Sequence, residues 1–148
     1  MNDDTKQTII LDFDGVIHSY ESGWKGAENI PDPPVLQAAE ALVGYVDHFT
    51  VAIFSSRTGQ SGGVYAMKSY IVNQVLQPYF LGLACERTGD ADRFDHKHAH
   101  QQAVKIVDQI DFPVQKPPAI VSIDDRAICF DGIFPSPEEI QEFKPWNR

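Results

Sequence analysis

Positive charge is scarce in this sequence. Its 148 residues include 12 Lys+Arg against 21 Asp+Glu, a formal net charge of -9. A chain this acidic has no general basic surface for nucleic acid or an anionic membrane, and leaves room only for a local basic pocket. Cysteine is scarcer still. Cys85 and Cys129 stand alone, so no disulfide framework is implied. No apolar run approaches the length of a membrane span, and no signal-type segment follows the polar stretch Met1–Gln7. Internal repeats and low-complexity tracts are absent. What remains is an ordinary globular composition, 43% hydrophobic and 22% charged, at a length that suits one domain, residues 1–148, with a sizeable core. A cytoplasmic protein with no membrane partner is the expectation.

The most informative stretch is Ile9–Gly15, Ile-Ile-Leu-Asp-Phe-Asp-Gly. Three apolar residues read as a buried strand, and it ends in two carboxylates. Strand side chains alternate, so Asp12 and Asp14 share one face. Paired acids are tolerable beside a cation, or when one of them holds a proton. The same residues also read as a solvated turn, since Asp and Gly are ordinary turn formers. Val16–Asn29 has no period and reads as a loop over the carboxylates. Its His18 and Trp24 are candidate substrate contacts. Asp32-Pro33-Pro34 resembles a helix start, followed by Val35, Ala38, Ala39, Leu42 and Val46 at helical spacing.

Phe49–Phe54 predicts a second strand. It ends in Ser55-Ser56-Arg57-Thr58-Gly59, whose hydroxyls, arginine and backbone donors could receive an oxyanion. Gly62-Gly63 opens a helix bearing Val64, Met67, Ile71 and Val75, which Pro78 is expected to stop. Tyr79–Cys85 reads as a further strand. Glu86–His100 is polar. His96 and His100 at helical i, i+4 spacing, with His98, Asp92 and Asp95 nearby, suit either a metal or a solvated segment running into a helix. Ala99, Ala103, Ile106 and Ile110 mark that helix. Phe112–Pro118 is a proline-broken loop holding Lys116. Ala119–Ile123 predicts a third strand, apolar enough to be buried on both faces. It ends in Asp124-Asp125, followed by Arg126. Ala127–Phe130 reads as a last strand, and Ser136-Pro137-Glu138-Glu139 as a capping box.

Strands alternating with helices predict an α/β fold, a Rossmann-like three-layer sandwich with a mostly parallel central sheet. Ligands bind such sheets beyond the carboxyl ends of the strands. That geometry gathers Asp12, Asp14, Ser55, Asp124 and Asp125 at one edge. Several carboxylates and few protein ligands suit Mg²⁺ shared with a phosphate.

The order Ile-Ile-Leu-Asp12-Phe-Asp14-Gly15, Ile53-Phe54-Ser55, Lys116, and Val121-Ser122-Ile123-Asp124-Asp125 resembles the haloacid dehalogenase (HAD) superfamily. The Lys116–Ala119 and Ile123–Ala127 stretches resemble its small members without a large cap domain, with Val16–Asn29 as a minimal cap. The resemblance implies a phosphatase acting through an aspartyl-phosphate. Asp12 is then the nucleophile, and Asp14 protonates the leaving oxygen and later activates water. Ser55 and Lys116 bind the phosphoryl group. Asp12, the backbone carbonyl of Asp14, Asp124 and Asp125 hold Mg²⁺. Lys97 rivals Lys116, and Ser56 rivals Ser55. With no large cap, specificity falls to Val16–Asn29, to Arg57, or to a second subunit of a homo-oligomer. The partner is a phosphorylated substrate, and nucleic acid is disfavoured by the charge balance. The alternative is a non-enzymatic, phospho-ligand-binding or regulatory module of the same shape. A receiver-type signalling domain is set aside, because receivers carry their adjacent acids early and the lysine last.

Overall fold

The computed structural model describes residues 5–88 and 96–148. Four parallel strands form one sheet in the order β3-β2-β1-β4. They are β1 (Thr8–Leu11), β2 (Thr50–Ile53), β3 (Ile110–Asp111) and β4 (Val121–Ile123). The helices are α1 (Ala38–His48), α2 (Gly63–Tyr70), a π-helical turn (Ile71–Leu76), α3 (Gln77–Thr88), α4 (His96–Val107) and α5 (Pro137–Gln141). This is the expected α/β Rossmann-like sandwich, with no large cap. No helix among the described residues is long and apolar enough to cross a membrane.

Period-2 alternation builds the core. Ile9 and Leu11 of β1, with Val51 and Ile53 of β2, join Leu42 and Val46 of α1, Ile71 and Val75 of the π turn, and Ala103 and Val107 of α4. Ile10 and Ala52 point the other way and are also buried. The register sets Leu11 level with Ile53 on one side and Ile123 on the other. The three strand ends therefore lie side by side. The chain steps from β1 outward through β2 to β3, then returns to β1's other side as β4. The crevice at that reversal is where such sheets bind ligands.

Several expectations are corrected. Helix α1 begins at Ala38 behind Gln37, not at Asp32, whose carboxylate accepts hydrogen bonds from Ser22 instead. Pro78 does not stop its helix. It is the second residue of α3, which runs on directly from the π-helical turn. The turn before it widens, so that the Gln77 N–H donates five residues back to the Val72 carbonyl. Tyr79–Cys85 is accordingly helix α3, with Tyr79 and Phe80 packed on the core. The Ala127–Phe130 segment forms no strand. The Ala119–Ile123 strand is shorter, Val121–Ile123, and lies exposed along its length at one edge of the sheet, paired with β1 alone. Ile110 belongs to β3, a strand too short to stand out in the sequence, rather than to α4. The capping box at Ser136 forms as expected.

Candidate active site

Asp12 follows β1, Ser55 follows β2 by two residues, and Asp124 follows β4. The Asp12 N–H donates to the Ile123 carbonyl at 2.9 Å, which ties the first acidic strand end to the second. The three ends open into a cavity of about 560 Å³, lined by Asp12, Asp14, Ser55, Ser56, Asp124 and Arg126 together with Tyr20, Thr58 and Val114. Its size suits a small-molecule ligand.

Asp12, Asp124 and Asp125 each bring a carboxylate oxygen within 4.8 Å of the other two. The Asp125 side chain is 1% exposed, and neither of its oxygens has a hydrogen-bond partner. It lies in the space that a Cβ on Gly15 would occupy. Gly15 also has φ +83°, so the position excludes a side chain on two counts. A buried carboxylate without a donor is costly unless a cation or a proton meets it. The three oxygens fit a hard divalent ion that keeps several waters. Burial, and after it the charges of Asp124, Asp125 and Asp14, push the Asp12 carboxyl up to about 7, against the opposing hydrogen bond from the Phe13 N–H. Burial raises Asp125 as well, partly offset by Arg126.

Asp14 is held differently. Arg57 grips it with two hydrogen bonds, Nε to Oδ2 at 2.9 Å and Nη2 to Oδ1 at 3.0 Å. His18 Nδ1 lies 2.8 Å from Oδ1, while its Nε2 accepts the Asp32 N–H at 3.1 Å. This arrangement fits the tautomer with a proton on Nδ1. Burial opposes ionisation of Asp14, but His18 and Arg57 outweigh it and hold the carboxyl below its ordinary value. The third branch of Arg57, Nη1, donates to the carbonyls of Gly26, Ala27 and Asn29. His18 and Arg57 are both fully buried.

No family model, curated protein or solved structure matches the chain. The site is therefore read from its own atoms. Asp12, Asp14, Ser55 and Asp124 meet at the cavity, and Asp125 joins the acidic triad. Asp14's carboxylate is not part of that triad. Ser55 and Ser56 both line the cavity. Ser55 is buried, with its Oγ accepting the Arg57 N–H at 3.2 Å and its hydroxyl proton left to donate; Ser56 is exposed.

The substrate contacts expected of His18, Arg57 and Trp24 are not at the cavity. His18 and Arg57 hold Asp14 from behind, and Trp24 lies outside the cavity lining with the Arg57 guanidinium 4.7 Å from its ring. Lys116 is exposed in the loop before β4 and does not line the cavity: the sheet is parallel, so this loop runs from the carboxyl end of β3 back to the start of β4, where the Ile120 N–H donates to the Thr8 carbonyl. Lys97 lies exposed on α4 and does not line it either. The cation facing the cavity is Arg126, whose place directly after Asp124-Asp125 was the available signal. Tyr20 was equally visible in the loop but carried no pattern. His96, His98 and His100 are exposed on α4 and join no metal-ligating group among the described residues. Asp92 and Asp95 lie outside those residues.

Proposed function

We propose that this protein is a Mg²⁺-dependent phosphatase that hydrolyses a phosphomonoester through an aspartyl-phosphate on Asp12. The observation that carries the reading is the acidic triad beside a free hydroxyl: three carboxylate oxygens within 4.8 Å, one of the carboxylates buried without a donor, and Ser55 on the next strand end. Asp12, Asp124 and Asp125 would hold the ion, which supplies positive charge against the phosphoryl oxygens and keeps the carboxylates ionised.

Asp12 attacks phosphorus, and the ester oxygen leaves with the electrons of the broken P–O bond. The Ser55 hydroxyl donates to a phosphoryl oxygen throughout. Water then attacks the aspartyl-phosphate, and its proton passes to a base, the role taken by Asp14. An Asp14 carboxylate gripped by Arg57 and His18 is ionised and so available to take that proton, but its lowered pKa makes it a weak base. It is a poor donor to the leaving oxygen in the first half. Esters whose leaving oxygen needs no proton should therefore turn over fastest.

The test is hydrolysis of a series of aryl phosphates with and without Mg²⁺. A rate that climbs steeply as the leaving phenol becomes more acidic is expected, as is a loss of about 10³-fold or more in Asp12→Asn. Equal rates in wild type and Asp12→Asn would overturn the reading. An Asp14 held ionised by Arg57 and His18, and so a poor proton donor, also suits a non-enzymatic phospho-ligand module. Phosphate binding by pure protein with no turnover across the series would establish that instead.

A further inference from the structure

Two arginines lie against one aromatic ring of the cavity lining. The guanidinium carbon of Arg126 lies 5.4 Å from the centre of the Tyr20 ring, and that of Arg148 lies 5.6 Å from it. Tyr20 and Arg126 themselves line the cavity. In a chain of net charge -9, two of the twelve Lys+Arg lie against this ring.

Arg126 makes only a long ion pair, and neither arginine is hydrogen-bonded to a carboxylate among the described residues. The nearest carboxylate oxygen to Arg126 is on Asp125 at 3.8 Å, beyond hydrogen-bond distance, and the arginine side chain is half exposed. Arg148 donates only to the Tyr20 carbonyl, at 3.3 Å, and among the described residues it has no carboxylate within 4 Å. The ring offsets part of the guanidinium charge, and apart from Arg148 Nη2, which donates to the Tyr20 carbonyl, no hydrogen bond among the described residues takes up the forks.

The stack is also held in place. Trp146 Nε1 donates to the Gly15 carbonyl and Asn147 Nδ2 to the Ser19 carbonyl, both at 2.8 Å, which brings Arg148 to the loop. Tyr20 adopts φ 62°, a left-handed conformation that a bulky residue rarely takes unless its surroundings impose it.

We propose that Arg126 and Arg148, stacked on Tyr20, form a subsite for a second phosphate of the substrate, so that the site selects bisphosphorylated small molecules over monophosphates. The proposal rests on the phosphatase reading for the first phosphate, which sits at Asp12. The second lies at the rim, where arginine forks match its oxygens bidentately.

Linear alkanediols of three to six carbons provide the probe, each prepared as monophosphate and as bisphosphate. In wild type with Mg²⁺, kcat/KM for the bisphosphate should exceed that for the monophosphate by roughly tenfold or more at one chain length. Arg126→Gln and Arg148→Gln should each shrink that ratio, and the double variant should bring it close to one. Arg148→Lys keeps the charge without the fork and should fall between, provided that its thermal melt matches wild type. Calorimetric titration of Asp12→Asn with the same compounds reads the preference without turnover. Tighter bisphosphate binding there, lost in the arginine variants, supports the subsite even if no ester is hydrolysed by the wild type. A ratio near one at every length, or one that survives the double variant, would overturn it.

Discussion

Asp12 and Asp14 stand two residues apart and are pushed in opposite directions. Burial and three neighbouring acids raise Asp12 to about 7, while Arg57 and His18 hold Asp14 low. The signs have consequences for pH. A folded Asp12 keeps its proton up to about pH 7, whereas the unfolded chain releases it near the ordinary carboxylate value of 3.8. Metal-free protein should therefore lose stability as pH rises from about 4 through 7. A divalent ion needs the ionised form, so proton and metal compete. The rise in Tm on adding Mg²⁺ should be larger at pH 8 than at pH 6, and Asp12→Asn should abolish that difference. Equal rises at both pH values in wild type would refute the coupling. Asp14 has the opposite sign. Its pairing stabilises the fold above the ordinary carboxylate range and is lost as pH falls below it. The positions of both acids were legible, because a strand's two-residue period fixes which side chains share an end. Their charge states were not. The groups that decide them include Arg57, 43 residues from Asp14, and Asp124 and Asp125 on another strand.

Among the elements, the loop after β1 and the loop after β2 act as one piece because Arg57 belongs to both. It comes from the second loop and spends its donors on Asp14 and three carbonyls of the first. A lysine has neither the fork nor enough donors to do this. Arg57→Lys should destabilise the protein by about 3 kcal/mol, the scale of breaking a buried pair, read as a lower midpoint in urea unfolding. A midpoint unchanged from wild type would mean that the strap carries no load. An arginine beside Ser55 reads in sequence as an anion binder, since its true acceptors, the Asp14 carboxylate and three backbone oxygens of the first loop, lie far off in the chain where no pattern announces them. Pro78 misled in the same way. Taken as a stop, it turned the following Tyr79–Cys85 into a strand, while the chain absorbed the proline by widening the turn before it. Lys116 matched the family's motif order, yet order alone could not tell whether a proline-flanked loop turns its lysine toward the strand ends.

Across the whole molecule, the sheet is completed from far apart in the chain. β1 lies centrally and pairs with β2 some forty residues on and with β4 more than a hundred on. Trp146, Asn147 and Arg148 then fasten onto the loop between Gly15 and Tyr20. Trp146→Phe removes one of these hydrogen bonds, worth about 1 kcal/mol, and should speed amide hydrogen exchange in residues 15–23 while β1 and β2 stay protected. Exchange that rises equally throughout, or nowhere, would contradict a local fastening. The fastening has a consequence for the order of events during synthesis. At roughly 5–20 residues per second, the ribosome releases Asp12 and Asp14 several seconds before it releases the residues that close over them. Until then the nascent chain carries the acidic loop open, without β4 beside it and without its two rim arginines. The pocket is thus completed only once β4 and residues 146–148 have emerged, more than a hundred residues after Asp12 and Asp14.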